Sequence, residues 1–580
     1  MSPSSSRAET IARLALLLPA LIVGSLVLRY WVNVPEGDDW ETPGQLYVSM
    51  ASHGLTFGEL VRLHNESRMV VPRLIHALLL QVFGWDTRAA IGFSWITSLL
   101  TWLAFIGLLG RQLPVGRLRY FFVLAVGAAF FSTAQWKNQL WSIQLVVFLP
   151  PAFLVAALWL DGTRLPLATK VLGCAALSVL STFSFANGMT CWGLGFPLRS
   201  LLGWGGRPAP TPRARAAWLA LYLLLGAATI ALYFQDFELL KPTQEVAKAD
   251  DADVSGLRFF VAWLGAPLGS FAREAPIVAE LVGGLLLVAA VVSAAYVAVR
   301  ARSDGGRDLL RASHPFWCLV LYSALSGIAV TLGRLHYGQE AARSVRYATT
   351  AGWFAVALLP VLYLVQRDLR ERGGPRRALA PRAAIAVLLA STAAAWPAGV
   401  REMRMRHWLS EQNQLSLRLL EQAPENPLLA RVHKHPSVVL RRSRPLRERG
   451  WLDDPPIGDW VHAELGAALR EGRECLGEVR LEELGKRYVR CAGWAILPSR
   501  DRAADCVLVA HEGADGQLEL VSGLAMKREI PAVTKLLGID LPLRCGFGDS
   551  LKCPGRARSV RVFAADFSDE RLYLIPSADP

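Results

Sequence analysis

Long apolar runs separated by short polar connections dominate the first 400 residues. A helix that spans a bilayer needs about 20 mostly apolar residues. Segments that meet this requirement lie at roughly 11–32, 87–110, 118–135, 141–160, 167–185, 187–205, 215–234, 277–299, 314–333, 347–366 and 380–397. No A-x-A cleavage site follows the first of these runs, and ten more runs come after it. We therefore interpret it as a retained helix and not as a signal peptide. The stretches 70–85 and 257–272 are short or interrupted, which predicts interfacial or re-entrant pieces.

The pattern changes after Pro397. Residues 401–470 are rich in arginine and include the amphipathic stretch HWLSEQNQLSLRLL, which predicts a helical linker. Residues 471–580 contain short alternating apolar runs separated by turns, which predicts a small antiparallel β-sandwich. The predicted fold is therefore a polytopic α-helical membrane protein with about eleven spans over residues 1–400 and a C-terminal β-sandwich domain.

Composition supports the membrane class. The chain has 580 residues, of which 53% are hydrophobic and only 19% are charged. Its formal charge of +14 favours positive cytoplasmic loops and contact with anionic lipid or phosphate. A nucleic-acid partner is not expected, because the arginines are spread among the connections between helices.

Arginine in short loops predicts the orientation. Clusters within 111–119, 207–215, 300–311 and 367–382 are all cytoplasmic if the N-terminus is cytoplasmic and 257–272 does not span. Three arginines just after the last span conflict with this orientation: Arg401, Arg404 and Arg406. The cluster before that span is larger, and long domains translocate largely regardless of charge. The C-terminal domain and the polar loops are then extracytoplasmic.

The first outer loop, residues 33–86, predicts short surface helices. Thr42-Pro43-Gly44-Gln45 is typical of an N-cap, a first-turn proline and a capping-box partner, with Gly54 as the stop after about His53. Thr56 with Glu59 repeats the capping box, and Pro72 begins a third piece that ends near Gly84.

The motif EGDDWE lies at the start of this loop. A helix capped by Asp38 would place Pro43 at its fifth position, where proline removes a needed N–H donor. Thr42 is therefore the better cap, and Asp38 and Asp39 are free for another role. Solvated surface, a metal site and a general base remain open.

An acidic pair directly after the first membrane helix, followed by surface helices, resembles the first outer loop of the GT-C superfamily of membrane glycosyltransferases. About eleven spans and an outward C-terminal domain are similar too, and HNESR, KNQLWSIQ, SFANG and ARSVRY resemble uncharacterised bacterial members. The resemblance implies a bacterial plasma-membrane enzyme that moves a sugar from a polyprenyl-phosphate donor to an extracytoplasmic glycan, lipid or protein acceptor, with inversion. It implies Asp38 or Asp39 as general base, with Asp39, next to Trp40, slightly favoured.

The leaving polyprenyl phosphate needs cationic partners. Residues on the predicted outer side supply them: His64, Arg68, Arg73, Arg334, Arg343 and Arg346. Headgroup contact, or pairing with Glu66 and Glu340, is the alternative. Sugar or acceptor contacts are expected from Trp40, Lys137, Asn138, Gln139, Trp141 and Tyr347. Interfacial anchoring and helix–helix hydrogen bonds are alternatives for these. Asp250, Asp251 and Asp253 predict a solvated acidic loop.

Other enzyme classes lack a motif, since no HExxH, CxxC, Walker or dinucleotide-binding pattern occurs. No cofactor is expected apart from a divalent cation on Asp38 and Asp39 as an open alternative. A lipid-linked polysaccharide polymerase or ligase, or a glycolipid transporter or flippase, remains an alternative function. The β-domain binds the acceptor glycan or serves as a structural cap. If it is extracytoplasmic, the disulfides Cys491–Cys506 and Cys545–Cys553 are allowed, with Cys475 left free.

Overall fold

The structure is a computed structural model that describes residues 9, 12–113, 117–204, 209–237, 255–452, 457–484, 488–498, 502–529, 544–553 and 557–578. The chain divides into two compact units. Unit 1 comprises Met1–Trp31, Leu55–Leu78 and Ala89–Arg404, and unit 2 comprises Val32–Gly54, Leu79–Arg88 and Met405–Pro580. Unit 2 therefore combines parts of the first loop with the C-terminal part of the chain.

Long apolar helices form most of unit 1. Seven helical stretches of the described chain are long and apolar enough to cross a membrane: Thr87–Gln112, Ser142–Asp161, Pro212–Phe234, Pro276–Arg300, Gly305–Tyr337, Gln339–Gly373 and Pro375–Arg418. Each overlaps a predicted span. The most apolar windows of Pro212–Phe234 and Pro276–Arg300 are only 22% and 28% buried, so most of their apolar side chains face outward, as in a lipid-facing helix. The chain thus has the build of a membrane protein.

The other predicted spans are shorter or broken. The helices Leu18–Tyr30, Arg117–Phe130 and Leu167–Thr182 have 13, 14 and 16 residues. The prediction of one helix over 187–205 is wrong, because this stretch forms the short helical pieces Ala186–Thr190, Cys191–Leu194 and Leu198–Leu201. Pro197, which lacks an N–H donor, stands directly before the last piece. The count of eleven spans stays a prediction.

Two further expectations concern helix ends. The stretch 257–272 is interrupted as predicted, with helical pieces at Gly256–Leu264, Ala266–Leu268 and Ser270–Glu274. The predicted last span, 380–397, is part of a longer single helix that runs from Leu379 to Arg418 with Pro397 inside it. A proline removes one backbone hydrogen bond, and here the turns on both sides keep the helix continuous. HWLSEQNQLSLRLL begins in this same helix.

The first loop contains the predicted surface helices. They are Pro43–His53, Phe57–Val61 and Val70–Phe83. Gly54 follows the first of them at φ 84°, a conformation that suits glycine, and Thr56 Oγ1 accepts the Glu59 N–H at 3.3 Å. The prediction that the Thr42 side chain caps the helix Pro43–His53 is wrong, because this side chain makes no cap hydrogen bond. A separate helical turn, Asp38–Glu41, lies just before the helix Pro43–His53. Because this turn ends before Pro43, the missing N–H of the proline does not disrupt the turn.

The remaining helical elements are the individual helices that make up some of these stretches and short pieces elsewhere. In unit 1 they are Thr133–Gln135, Trp136–Gln139, Ser142–Gln144, Leu145–Asp161, Asp304–Arg334, Leu335–Tyr337, Gln339–Ala342, Val345–Tyr347, Ala348–Gly373 and Pro375–Ala378. In unit 2 they are Leu429–Val432, Pro436–Glu448, Trp460–Arg470 and Ala557–Ser559.

Among the described residues, strands occur in one hairpin of the first loop and in the C-terminal region. They are β1 (Leu63–His64), β2 (Ser67–Arg68), β3 (Leu476–Glu483), β4 (Tyr488–Leu497), β5 (Arg502–Ala503), β6 (Cys506–Glu512), β7 (Leu518–Ala525), β8 (Arg528–Glu529), β9 (Arg544–Lys552), β10 (Val560–Asp566) and β11 (Arg571–Leu574). One antiparallel sheet has the order β11-β10-β6-β7, and the other has β3-β4-β9-β8 with β5 beside β4. Val479 and Val489 of one sheet share a core with Val507 and Val562 of the other, so the two sheets form the predicted sandwich.

The predicted disulfides are wrong. All eight cysteines lie in the described chain, and no disulfide joins any two of them. Cys491 lies on β4 opposite Asp549, whereas Cys506 lies on β6 in the other sheet. Cys545 is on β9 and Cys553 follows its end; eight residues of strand separate their Cα atoms by about 26 Å, far beyond the roughly 7 Å limit for a disulfide.

Candidate functional site

Glu36 begins the EGDDWE motif and is a buried structural residue of unit 2. Its side chain is 6% exposed and pairs with Arg406. Its Oε1 also accepts hydrogen bonds from Asn413 Nδ2 at 2.7 Å and Ser410 Oγ at 3.3 Å. Because a buried carboxylate requires a countercharge and donors, these contacts fix the start of the motif against the helix Leu379–Arg418.

Asp39 and Trp40 are fully buried within the same unit. Asp39 Oδ2 accepts the backbone N–H of Glu36 at 3.1 Å, which closes the turn. Trp40 Nε1 donates to the Pro35 carbonyl at 2.9 Å, and its ring lies edge-on to Trp85 with centroids 4.8 Å apart. The Trp40 ring therefore presents no open face for a sugar, and the Asp39 carboxylate stabilises the loop.

Glu41 binds two residues of the C-terminal part of unit 2. Its carboxylate lies 3.1 Å from His433 Nε2 and 3.1 Å from Arg442 Nη1. Burial raises the pKa of Glu41, but the charge of Arg442 and the contact with His433 outweigh burial, so the net pKa is lowered. Arg442 also donates to the Trp40 carbonyl. These contacts stabilise the turn from its other end.

Asp38 differs from the other three acids of the motif. Its side chain is exposed, and in the described part of the chain its carboxylate has no hydrogen-bond or ion-pair partner. The turn Asp38–Glu41 holds its backbone in a fixed place, because residues on both sides of it are buried. A carboxylate that is positioned but unpaired is available for a proton or a cation. Among the described residues, no three His, Cys, Asp or Glu side chains converge as a metal site.

Arg68 and Arg73, in unit 1, are engaged by backbone carbonyls. Arg68 Nε donates to Tyr233 O at 2.6 Å and Nη1 to Val61 O at 2.8 Å, and Nη2 donates to Gln235 O. Arg73 Nη1 donates to Leu60 O at 3.1 Å, and burial lowers its pKa to about 10. Three carbonyl partners for one guanidinium are typical of a residue that holds a loop.

His64, Arg334 and Arg346 also have protein neighbours. His64 lies on β1 and pairs in register with Ser67 on β2. Arg334 Nη2 lies 3.3 Å from Glu66 Oε1, which confirms the alternative of pairing with Glu66. The guanidinium of Arg346 lies 5.1 Å from the centre of the Tyr347 ring, and its Nη2 donates to Tyr347 Oη at 3.2 Å.

Arg343 stands apart from these cations. It is only 8% exposed, yet its guanidinium has no hydrogen-bond, ion-pair or ring partner in the ranges that the structure describes. Its backbone N–H donates to Glu340 O at 3.1 Å, which fixes the start of the side chain. No Arg343 nitrogen is both buried and unpaired, so the guanidinium reaches solvent, where an anionic ligand can meet it.

The segment Trp136–Gln139 is placed beside Val345–Tyr347. Asn138 Nδ2 donates to Arg346 O at 2.9 Å and to Thr349 Oγ1 at 2.8 Å. The Lys137 ammonium lies 5.0 Å from the centre of the Trp141 ring. The structure thus brings Asn138, a predicted sugar contact, next to Arg346, a predicted phosphate contact. Asp250, Asp251 and Asp253 lie outside the described residues.

A cleft in unit 1 adds residues that were not predicted. It is lined by Gln139 together with Gln135, Thr349, Gly352 and Trp353, among others. Gln135 and Gln139 are four positions apart, and this helical spacing of two amides in an apolar region could have indicated the cleft from sequence. Gly352 and Trp353 gave no such signal, because they are ordinary residues of an apolar helix.

A scan against protein-family models and a search of curated proteins both find no match for this chain. Its functional interpretation therefore rests on its own residues and on their contacts.

Proposed function

We propose that this protein is an integral membrane glycosyltransferase that moves a sugar from a polyprenyl-phosphate donor to an extracytoplasmic glycan, lipid or protein acceptor. The observation that carries the proposal is Arg343, a residue only 8% exposed whose guanidinium has no protein partner in the described ranges. Its planar fork matches two oxygens of a phosphate. The other predicted cations, with the protein contacts described above, have a weaker claim to the donor phosphate.

Asp38 is the proposed general base. Its carboxylate takes the proton of an acceptor hydroxyl while the acceptor oxygen bonds to the anomeric carbon. The bond between that carbon and the phosphate oxygen breaks, and the polyprenyl phosphate leaves with the electron pair. One displacement of this kind inverts the anomeric centre. Asp38 replaces Asp39 as the favoured base, because Asp39 is fully buried and accepts the Glu36 N–H.

The proposal includes an orientation. With the N-terminus in the cytoplasm of a bacterial cell and up to eleven spans, the first loop and the β-sandwich are extracytoplasmic. Two arginines that conflicted with this orientation have acidic partners: Arg406 pairs with Glu36, and Arg401 Nη2 lies 3.2 Å from Glu274 Oε1. These pairs give both arginines a structural role, and the larger cluster at 367–382 still sets the orientation.

Two alternative functions share the phosphate site. A lipid-linked polysaccharide polymerase or ligase, and a glycolipid flippase, would each use Arg343 for a lipid phosphate. Neither a flippase nor a transporter needs a proton acceptor at Asp38. The role of Asp38 in chemistry therefore separates the glycosyltransferase from the transporters.

Purified full-length protein in lipid nanodiscs, given a panel of polyprenyl-phosphate monosaccharides with membrane-extract acceptors, tests the proposal. We expect donor consumption by the wild type. Loss of one charge-assisted contact predicts that Arg343→Gln raises KM by about tenfold or more. Arg343→Lys keeps the positive charge but loses the planar guanidinium, so its KM should lie between those of the wild type and Arg343→Gln. The control is Arg258→Gln, since Arg258 is exposed and its partners among the described residues are Glu280 and, through its backbone carbonyl, Gln339.

The base is tested with isosteric amides. Asp38→Asn should lower kcat by roughly a hundredfold or more, in the range for loss of a general base, with KM little changed. Full activity of Asp38→Asn would refute the role of Asp38. Donor binding without consumption in the wild type, together with transfer of labelled donor across a vesicle membrane, would support the flippase instead.

A further inference from the structure

Unit 1 contains a cleft formed by its own helices. Residues from Thr87–Gln112, Arg117–Phe130, Leu145–Asp161 and Ala348–Gly373 line it, and Trp136–Gln139 contributes Gln139. It offers about 30 Å³ to the centres of water molecules within about 460 Å³ of empty volume, which includes its open side. Since one water needs about 10–15 Å³ by this measure, the inner part has room for about two hydroxyl-sized groups.

Two amides, Gln135 and Gln139, present oxygens without donors to the cleft. Gln139 Nε2 donates to Ser132 O at 3.3 Å, whereas its buried Oε1 has no partner. Gln135 is 7% exposed; its Nε2 donates to Phe130 O at 2.7 Å, and no donor reaches its Oε1 from the described part of the chain. Both amide nitrogens are thus used by the protein. A buried acceptor left unpaired costs about 1–3 kcal/mol, so a ligand with donors is expected.

A third amide nearby repeats this arrangement. Asn138 is 1% exposed, and its Nδ2 donates to Thr349 Oγ1, a cleft residue, while its Oδ1 has no partner. Thr349 Oγ1 accepts this bond, so its own proton remains available to a ligand oxygen. The cleft itself therefore offers the Gln135 and Gln139 amide oxygens as acceptors and the Thr349 hydroxyl as a donor.

The cleft contains no charged side chain among its described lining residues. Carboxylate or phosphate oxygens would face the amide oxygens and repel them. An ammonium group would find acceptors but no countercharge, and burial of an unpaired ion is costly. Neutral hydroxyl groups avoid both problems, because each one donates and also accepts. Phe130, Phe148 and Trp353 supply apolar wall for the carbon side of such a ligand.

From this chemistry we infer that the cleft binds the hydroxyl edge of a neutral sugar, which makes the transferred sugar of the donor uncharged. The inference rests on the proposed glycosyltransferase function and adds the class of sugar. Arg343 binds the phosphate in that proposal, so the cleft needs no cation of its own. Uronic-acid and amino-sugar donors are then poor substrates.

Gly352 offers a direct way to fill the cleft. It lines the cleft, and a Cβ placed on it meets no atom within 4 Å. Gly352→Leu therefore fills space that a ligand would use without a clash at the first carbon. Gly110 is the matched control, because it is also helical and a Cβ there also meets nothing within 4 Å, but it does not line the cleft.

The test uses the full chain in nanodiscs with polyprenyl phosphates carrying glucose, mannose, galacturonic acid or 4-amino-4-deoxyarabinose. We expect the neutral donors to have a kcat/KM at least about a hundredfold above the charged ones, the discrimination expected when buried polar groups would be left unpaired. Gly352→Leu should raise KM for a neutral donor by about tenfold or more, and Gly110→Leu should change it by less than about twofold. Gly352→Ala should give a smaller effect than Gly352→Leu.

Each outcome has one meaning. Equal or better use of a charged donor overturns the neutral-sugar inference and leaves the glycosyltransferase proposal intact. Unchanged kcat/KM in Gly352→Leu also overturns the inference, and shows that the cleft holds only water. Consumption of none of the four donors, in the wild type and in all variants, refutes the proposed function and the inference with it.

Discussion

Glu41 Oε1 and His433 Nε2 lie 3.1 Å apart in unit 2, and Arg442 Nη1 lies at the same distance from the second Glu41 oxygen. His433 is 3% exposed, and its Nδ1 accepts the His435 N–H at 3.1 Å. The same Nδ1 lies 3.0 Å from the His435 carbonyl oxygen, so both ring nitrogens of His433 are held by neighbours. A residue of the first loop thus satisfies a buried imidazole from the C-terminal part of the chain.

This contact predicts a loss of stability in acid. The pKa of Glu41 is lowered in the folded protein from a normal value of 4.5, so its contribution is present above that pH and is lost as the pH falls through the lower folded value. Because its side chain is 36% exposed, water screens the pair, and Glu41→Gln should cost only about 0.5–1 kcal/mol at pH 7. Thermal unfolding at pH 7 and pH 3.5 measures both effects.

The comparison with Asp38→Asn makes this test specific. Asp38 lies in the same turn without a partner in the described chain, so its substitution should leave the unfolding temperature unchanged at both pH values. A difference between wild type and Glu41→Gln that stays constant from pH 7 to pH 3.5 would contradict the electrostatic role of Glu41.

Glu36 should be a much larger contributor to stability than Glu41. Its buried carboxylate binds Arg406, Asn413 and Ser410, so Glu36→Gln leaves the Arg406 guanidinium without its countercharge. Breaking one side of a buried pair typically costs about 3–5 kcal/mol. We expect a loss of this order in denaturant unfolding. A double variant, Glu36→Gln with Arg406→Met, should recover part of it; a double variant no more stable than the single one would argue against the ion pair.

The first loop shows how far the sequence predicts this site. Capping boxes and prolines are local signals, so Pro43–His53, Phe57–Val61 and Val70–Phe83 could be predicted within a few residues. The roles of Glu36 and Glu41 could not, because their partners are distant in sequence. Asp39 and Asp38 are adjacent and chemically identical, and only burial separates a structural carboxylate from an available one.

The C-terminal region shows the same limit for cysteines. Alternating apolar runs predicted the strands, since a period of two is a local signal. Disulfide pairing depends on which faces of the strands meet, and Cys491 lies in the core between the two sheets whereas Cys506 lies in a separate core with Ile457 and Val461. Likewise, periodicity cannot show that Gly195 and Pro197 interrupt an apolar stretch that is long enough to span.

Arg68 and Arg343 should respond in different ways to the loss of charge. Arg68→Gln removes a guanidinium from the carbonyls of Tyr233, Val61 and Gln235 and should destabilise the fold by about 2–3 kcal/mol. Arg343→Gln removes a guanidinium that has no partner in the described chain and should leave stability unchanged, as expected for a residue retained for function. Thermal unfolding in detergent without donor measures both. A clear loss of stability in Arg343→Gln would indicate a structural role.

Orientation is tested by labelling engineered cysteines in intact cells. All eight native cysteines are buried, and burial raises the pKa of Cys475 and Cys491 to about 12, so neither forms the reactive thiolate at neutral pH. Asp38→Cys and Arg302→Cys each place one thiol at an exposed position. Positive-inside loops place residue 302 in the cytoplasm and residue 38 outside. A maleimide that cannot cross the plasma membrane should therefore label Asp38→Cys in cells whose outer barrier has been opened, and Arg302→Cys only after detergent is added. The reverse result would place the Asp38 carboxylate in the cytoplasm and would remove it from any extracytoplasmic transfer reaction, whatever the activity of the purified protein.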